Sequence, residues 1–270
     1  MSKTVLITGT SSGIGRETAL IFQKMGWNVA ATQRDLEKES ELTQLDHTVV
    51  LKLDVTNPQT IREAIQKTTK EFGKIDVLVN NAGYGQIGPF EATSEEETLK
   101  EFNVNVFGGM RVIKEILPEF RKRKEGIIIN VASFGGRITF PLYSIYHSTK
   151  WAVEGFSESL QHELRQFNIK VKIIEPGVIN TPFYDHVKIA AKKGLEDYDK
   201  YAIPSLRKMQ EAGRNGSSPK GVAKTIFEAA NSDNWQLRYP TGKNAKLTLF
   251  LRRFLPDRLF TYLIRKNGEG

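Results

Sequence analysis

A glycine-rich turn near the start of the chain places the strongest constraint on its fold. Residues 8–15 read Thr-Gly-Thr-Ser-Ser-Gly-Ile-Gly, after the apolar run at residues 5–7 and before an amphipathic stretch that begins near Arg16. Glycines allow a tight turn and a close approach of the backbone to a pyrophosphate, and a helix N-terminus offers free N–H groups. The order strand, glycine turn, helix therefore predicts a dinucleotide site.

Short apolar runs recur along the chain, at residues 5–8, 29–32, 49–53, 77–80, 127–131 and 171–175. Continuous hydrophobicity is typical of strands buried on both faces of a parallel sheet. The stretches between them read as helices, two of which carry capping signals, at Ser94 with Glu97 and at Ser218 before Pro219. The alternation predicts one doubly wound Rossmann-type α/β domain over residues 1–270, with a parallel sheet and helices on both faces.

Composition narrows the class of protein further. The 270 residues include no cysteine, which excludes disulfides, cysteine nucleophiles and cysteine-ligated metal sites. No metal is expected, because none of the histidines has a metal-ligand partner at helical spacing: His47, His147, His162 and His186. No apolar run approaches the roughly 20 residues of a membrane span, and the first strand is too short for a signal peptide. We therefore expect a cytoplasmic protein.

The net charge of +8 is concentrated near the end of the chain. From residue 235 onward, eight basic residues stand against two acidic ones, so the remainder is nearly neutral and nucleic-acid binding is not expected. The tail, residues 243–270, is apolar as well as basic. Two interpretations stay open for it: packing against the domain or a second subunit, or peripheral contact with a membrane surface.

Further motifs follow the glycine turn in order. They are Leu53-Asp54-Val55-Thr56, Asn80-Asn81-Ala82-Gly83, Asn105, Ser133, Tyr146 with Lys150, and Pro176-Gly177. Together with the Gly-x-x-x-Gly-x-Gly spacing of the turn, they resemble the short-chain dehydrogenase/reductase family over residues 3–182 and 219–242. The chain length and residues 238–242 resemble the branch that acts on steroid, retinoid and similar lipophilic substrates.

The resemblance implies a nicotinamide dinucleotide cofactor and a set of contacts to it. Asp54 and Val55 would contact the adenine, and Asn81 would line the pocket. For Asn80 and Gly83, a purely structural role stays open. The predicted cofactor-binding residues are Gly9, Ser11, Ser12, Gly13, Ile14, Gly15, Arg34, Asp54, Val55, Asn81, Ala82, Gly83, Tyr146, Lys150, Pro176, Gly177, Ile179 and Thr181.

The end of the second strand distinguishes NADP from NAD. NAD-binding enzymes place an acid there for the ribose hydroxyls, and that acid would repel a 2′-phosphate. Here Gln33 stands at the position of the acid and Arg34 follows it. A guanidinium binds phosphate well, so NADP(H) is favoured. Asp35 is the alternative ribose-binding acid, and Arg16 is a second candidate cation.

Tyr146 and Lys150 are four residues apart, which places them on one face of a helix. An unperturbed tyrosine has a pKa of about 10, and a nearby ammonium lowers that value, so the pair suits proton exchange with a carbonyl oxygen. Ser133 follows a buried strand and is predicted to hold the same oxygen. By the resemblance, Asn105 kinks its helix and holds a water that relays protons to Lys150.

Residues 183–217 lack strand patterning and are predicted to be an insertion that closes over the substrate. The candidate lining residues are mostly bulky and apolar: Phe134, Leu142, Tyr143, Phe183, Tyr184 and Val187. They indicate a hydrophobic ketone or aldehyde, or its alcohol, as substrate. The resemblance also implies a homo-oligomer.

Several other functions remain open at this point. The chain could be an NAD-dependent alcohol dehydrogenase of the same family. A sugar epimerase or dehydratase uses the same pairing of tyrosine and lysine, although such chains are longer and have a different glycine spacing. A non-catalytic NADP sensor would have no reason to keep Ser133, Tyr146 and Lys150 together. A lipid-surface protein would depend mainly on the tail.

Overall fold

Among the described residues, seven strands form one parallel sheet, in the order β3 (Thr48–Lys52), β2 (Asn28–Gln33), β1 (Thr4–Thr8), β4 (Val77–Asn80), β6 (Gly126–Val131), β7 (Ile169–Pro176) and β9 (Arg238–Thr241). The computed structural model describes residues 2–37, 41–184, 188–189 and 193–268. The other described strands are β5 (Gln86–Ile87) and β8 (Lys188–Ile189). The helices are α1 (Gly13–Lys24), α2 (Pro58–Phe72), α3 (Glu95–Phe102), α4 (Gly109–Arg123), α5 (Ser144–Leu164), α6 (Asp199–Arg214), α7 (Pro219–Asn231), α8 (Ala245–Phe254) and α9 (Asp257–Gly268).

Helices cover both faces of the sheet. On one face, α1 and α7 bury an apolar stripe that includes Phe22 and Ile226. On the other face, α2, α4 and α5 bury residues such as Ile61, Ile116 and Leu160. All eight residues of β7 are buried, as continuous apolar runs predict for a strand covered on both sides. The predicted fold class, a doubly wound Rossmann-type sheet, is confirmed.

The six predicted strands are all present, each within two residues of its predicted bounds. Both predicted helix caps form as well. The Ser94 side chain accepts from the backbone of Glu97, which closes the capping box, and the Ser218 side chain accepts from the backbone of Lys220. Helix α1 begins at Gly13, earlier than the predicted start near Arg16.

Three of the described strands, β5, β8 and β9, were not predicted from the sequence. Strand β9 pairs with β7 at the edge of the sheet. Its Pro240 has no N–H to donate, which an edge strand tolerates because only one of its sides is paired. Strand β8 lies within the predicted insertion and pairs with β5, so the prediction that residues 183–217 hold no strand is wrong. Elsewhere in this insertion α6 covers the site described below. Within the described ranges, no helix is both long enough and apolar enough to cross a membrane.

A π-helical segment, Asn103–Gly108, joins α3 to α4, and Glu101 lies two residues before it on α3. The Glu101 side chain is fully buried, and its Oε1 accepts hydrogen bonds from the Gln86 backbone N–H at 3.2 Å and from Asn105 Nδ2 at 3.5 Å. Its second oxygen, Oε2, has no hydrogen-bond partner among the described residues. Burial raises the pKa of Glu101 to about 7, because the charged form loses its hydration.

Glu101→Gln tests the cost of this buried carboxylate. The folded-state pKa lies above the ordinary 4.5, so the stability linked to this group is complete below that pH and is lost as the pH rises through about 7. From about pH 4 to about pH 8, the free energy of unfolding of the variant should therefore rise relative to that of the parent by up to roughly 3 kcal/mol. Urea unfolding at both pH values measures it. Glu96→Gln, exposed on the same helix, is the control, and equal pH dependence in both variants would contradict the account.

Candidate active site

A cavity of about 1010 Å³ opens at the carboxyl ends of β1, β2, β4, β6 and β7. This is the edge of an open α/β sheet at which ligands bind. The volume reaches the top of the range of roughly 300–1,000 Å³ that is typical of small-molecule sites, which leaves room for two ligands side by side. One end of the cavity is formed by the glycine turn, and the other by aromatic side chains.

The glycine turn wraps closely around the end of β1. Gly9 and Gly13 have φ angles of +75° and +56°, in the left-handed region that favours glycine. Gly15 lies behind the cavity, where a Cβ would stand 2.1 Å from the Gly9 carbonyl oxygen and 2.5 Å from Asn81 Nδ2. Asn81 Nδ2 donates to the carbonyl oxygens of Thr8 and Gly9, at 3.0 and 2.9 Å, and so fixes the turn against β4.

Gln33 and Arg34, at the end of β2, line the same cavity. Gln33 is buried, and its Oε1 has no hydrogen-bond partner in the part of the chain that the structure describes, whereas Arg34 is exposed. Asp35 is exposed and its Oδ1 accepts from the backbone N–H of Glu37 at 3.0 Å. Arg16, the second predicted cation, forms an ion pair with Glu41 at 2.5 Å.

Ser133, Tyr146 and Lys150 meet in the middle of the cavity wall. Ser133 follows β6, and its Oγ accepts from the backbone N–H of Gly135 at 3.0 Å. The other two side chains project from one face of α5. Lys150 is buried, its Nζ donates to the Val131 carbonyl oxygen at 3.1 Å, and the same atom lies 5.7 Å from the centre of the Tyr146 ring.

Burial controls the charges of these groups. It raises the pKa of Tyr146 above its ordinary value, while a hydrogen bond with Ser133 acts to lower it. The sequence-based expectation was a lowered pKa; in the protein by itself that direction is wrong, because the loss of hydration outweighs the favourable contacts. Burial also lowers the pKa of Lys150 to about 8, against the attraction of Glu101 and Glu154.

Asn105 lies behind the cavity and joins three elements. Its Oδ1 accepts from the Tyr84 backbone N–H at 3.0 Å, and its Nδ2 donates to the Tyr84 carbonyl oxygen at 2.8 Å. Nδ2 also donates to Thr149 Oγ1 at 3.1 Å, on the helix of Tyr146 and Lys150. The irregular helix expected at Asn105 is the π-helical segment, and its water relay stays a prediction.

Most residues predicted for the site line this one cavity. They are Gly9, Ser11, Ser12, Gly13, Ile14, Arg34, Asp54, Val55, Asn81, Ala82, Gly83, Ser133, Tyr146, Lys150, Pro176, Gly177, Ile179 and Thr181. Gly15 and Asn105 stand behind its wall instead, as described above. Glycine at position 83 also has a packing reason, since a Cβ there would lie 3.1 Å from Asn105 Oδ1.

The far end of the cavity has an aromatic wall. Of the predicted lining residues, those that line it are Phe134, Tyr143, Phe183 and Tyr184. Leu142 does not; its backbone instead has a φ of +67° and accepts from the Gly88 N–H at 2.8 Å. Val187 lies outside the described residues. Sequence reasoning missed six further lining residues, of which the last four belong to α6: Lys100, Phe140, Ser205, Lys208, Met209 and Ala212.

His147 is a core residue. Its ring stacks on Tyr143 with the centroids 5.0 Å apart, and its Nδ1 accepts from the Phe140 backbone N–H at 3.3 Å. Burial lowers its pKa to about 3, so the ring is neutral at physiological pH. Its stacking on Tyr143 supports the aromatic wall from behind. His186 lies outside the described residues, and the described part of the chain holds no cluster of side chains suited to a metal ion.

Comparison with known proteins agrees with this geometry. A family profile described as short chain dehydrogenase matches residues 3–191. An uncharacterised oxidoreductase of Schizosaccharomyces pombe is 40% identical over 234 residues, which cover 87% of this chain and 98% of that protein. A 3-ketodihydrosphingosine reductase of Bacteroides thetaiotaomicron is 37% identical over 97% of this chain and 96% of its own. Retinol dehydrogenase 8 of Bos taurus is 35% identical, with 94% and 86% covered.

Solved structures share the fold. A short-chain dehydrogenase from Streptomyces avermitilis superposes with a TM-score of 0.82 at 32% identity, covering 97% of this chain and 95% of that one. ElxO with NADP bound gives 0.73 at 32% identity, with 89% and 98% covered. A short-chain dehydrogenase/reductase from Burkholderia phymatum in complex with NAD gives 0.82 at 26% identity, with 93% of both chains covered.

The structural neighbours thus include proteins that hold NADP and proteins that hold NAD, and the likeness alone does not choose between them. The class of protein is clear, because the profile spans most of the chain and the relatives span nearly all of it. This chain belongs to the short-chain dehydrogenase/reductase family and is an oxidoreductase with a Rossmann fold.

Proposed function

We propose that this enzyme interconverts an apolar ketone or aldehyde and its alcohol with NADP(H), and that Tyr146 is the general acid and base. One observation carries the proposal. A single cavity runs from the glycine turn and Arg34, past Ser133 and Tyr146, to an aromatic wall. Such a cavity holds a dinucleotide and an apolar substrate next to the same hydroxyl groups.

The residues at the glycine end fit a phosphorylated dinucleotide. The backbone at Gly9 and Gly13 leaves the space that close approach of a pyrophosphate needs, and the N-terminus of α1 follows directly. Gln33 Oε1 is buried, has no partner within the described ranges, and can accept a hydrogen bond from a ribose hydroxyl. Arg34 at the rim supplies a guanidinium for a 2′-phosphate.

A nicotinamide dinucleotide, when bound, supplies or accepts the hydride. The residues of the chain handle the oxygen and its proton. In the reducing direction, the Tyr146 hydroxyl donates its proton to the substrate oxygen, to which the Ser133 hydroxyl also donates a hydrogen bond. The raised pKa of Tyr146 keeps this hydroxyl protonated at neutral pH. The phenolate that remains is stabilised by the ammonium of Lys150.

An apolar substrate fits the other end of the cavity. Phe183 packs against Tyr146 with the ring centroids 5.5 Å apart, so the aromatic wall begins beside the proposed acid. From α6, Met209 and Ala212 add apolar surface. Two relatives are named for 3-ketodihydrosphingosine and for retinol, a ketone and an alcohol that are both largely apolar. This supports a lipophilic substrate over a sugar.

Tyr146→Phe tests the reaction. Removing the hydroxyl while keeping the ring should lower kcat/KM for NADPH-dependent reduction of apolar ketones by roughly 100- to 10,000-fold. NADPH oxidation is followed by its absorbance, and NADPH binding is followed by fluorescence to show that the variant is intact. Tyr143→Phe removes a neighbouring hydroxyl from the wall and should cost less than about tenfold. Parental turnover in Tyr146→Phe would exclude this mechanism.

Arg34→Ala tests the choice of cofactor. Losing a charged hydrogen bond to the 2′-phosphate should weaken NADPH binding by roughly 10- to 100-fold and leave NADH binding nearly unchanged. Titration calorimetry with both dinucleotides measures this difference. Asp35→Ala is the matched control and should leave both affinities unchanged. Equal losses for both dinucleotides in Arg34→Ala, or a loss of NADH binding in Asp35→Ala, would favour the NAD-dependent alternative.

A further inference from the structure

Helices α8 and α9 each have one face toward the protein. Ala245 and Leu249 of α8 and Phe260 of α9 are buried together with Phe134 and Ile138. The tail therefore packs against its own domain, as one of the two interpretations of the sequence predicted. These inward residues fix the orientation of both helices, and their opposite faces point away from the protein.

We call these two outward faces together the tail face. It consists of Lys246, Leu247, Phe250, Arg253 and Phe254 of α8, and of Arg258, Leu259, Tyr262, Arg265 and Lys266 of α9. Phe250 and Phe254 are 60% and 64% exposed, and their ring centroids lie 4.7 Å apart. Exposed aromatic side chains grouped on one surface are typical of an interaction site.

The charge of the tail face has a single sign. Its five charged side chains are all basic and all exposed. In the described part of α8 and α9 the only acid is Asp257, which forms an ion pair with Arg252. Among the described residues of α8 and α9, the tail face therefore combines apolar rings with positive charge and holds no acidic group.

We propose that the tail face binds an anionic lipid surface. Leu247, Phe250 and Phe254 would enter the boundary between headgroups and acyl chains, and the flanking Lys246 and Arg253 would contact lipid phosphates. A second copy of the chain is a poorer occupant, because a two-fold contact would place basic face against basic face. Nucleic acid or an acidic protein would use the charges but would leave the exposed rings in water.

The inward faces of α8 and α9 pack beside the proposed substrate end of the cavity. Phe134, Phe140 and Val178 line the cavity and belong to the same apolar cluster as the inward faces of α8 and α9. Binding through the tail face would thus hold the apolar end of the cavity near the lipid. Lipid binding itself does not rest on the proposed reaction, since vesicle binding is measured without substrate or cofactor.

Co-sedimentation of the full chain with vesicles tests the proposal, using phosphatidylcholine alone and phosphatidylcholine mixed with phosphatidylserine. The chain should bind the mixed vesicles much more tightly, and binding should weaken with added salt. Lys246→Gln with Arg253→Gln should lower the partition coefficient on mixed vesicles by roughly 25-fold, at about fivefold for each basic residue. Phe250→Ser with Phe254→Ser should lower the same partition coefficient at least tenfold, because the variant no longer buries the apolar surface of two rings in the lipid.

Matched substitutions elsewhere control for exposure and charge. Phe90→Ser replaces a ring that is also 64% exposed, and Arg121→Gln with Lys122→Gln removes two exposed charges from α4; both should bind like the parent. Thermal unfolding shows whether each variant is folded. Equal binding to both kinds of vesicle, or full binding by the Phe250 and Phe254 variant, would overturn the proposal. The proposal would also be overturned if analytical ultracentrifugation found the parent to be a dimer and this variant a monomer, which would assign the tail face to a second copy.

Discussion

The buried ammonium of Lys150 is the constraint on which the rest of the site depends. A charge inside a protein needs partners, and this one donates to the Val131 carbonyl oxygen at the end of β6. That contact fixes α5 against β6. Tyr146, one turn earlier on α5, and Ser133, just beyond β6, are thereby directed into the same cavity. The pairing of tyrosine and lysine therefore depends on the sheet as much as on the spacing along the helix.

A second set of contacts holds α5 from behind. Asn105, in the π-helical segment, binds Thr149 of α5 and the backbone of Tyr84, while the carboxylate of Glu101 attracts the charge on Lys150. Burial raises the pKa of Glu101 to about 7 and lowers that of Lys150 to about 8. Both groups therefore change charge near neutral pH, and the protonation of one affects the other. Burying these two ionisable groups lowers the stability of the fold, and it also gives the site groups that exchange protons near neutral pH.

The sequence predicted those features that rest on local pattern. Buried strands appear as continuous apolar runs, and the glycine turn and the Tyr146–Lys150 spacing are contiguous motifs. It did not predict the features that arise from long-range packing: the edge strand β9, the buried carboxylate of Glu101, and the lining residues from α6. The raised pKa of Tyr146 and the absence of Leu142 from the cavity have the same origin, because burial and backbone direction are set by the whole fold. Strand β9 was missed because Pro240 interrupts the pattern of apolar residues by which strands are recognised.

The ionisation of Tyr146 is the most direct test of the account. With saturating NADP⁺, ultraviolet difference titration of the parent against Tyr146→Phe isolates the signal of this one phenol. If the ammonium of Lys150 stabilises the phenolate, Lys150→Met should raise the measured pKa of Tyr146 by about one unit or more, with NADP⁺ binding checked separately. An unchanged Tyr146 titration in a Lys150→Met protein that still binds NADP⁺ would contradict the central claim.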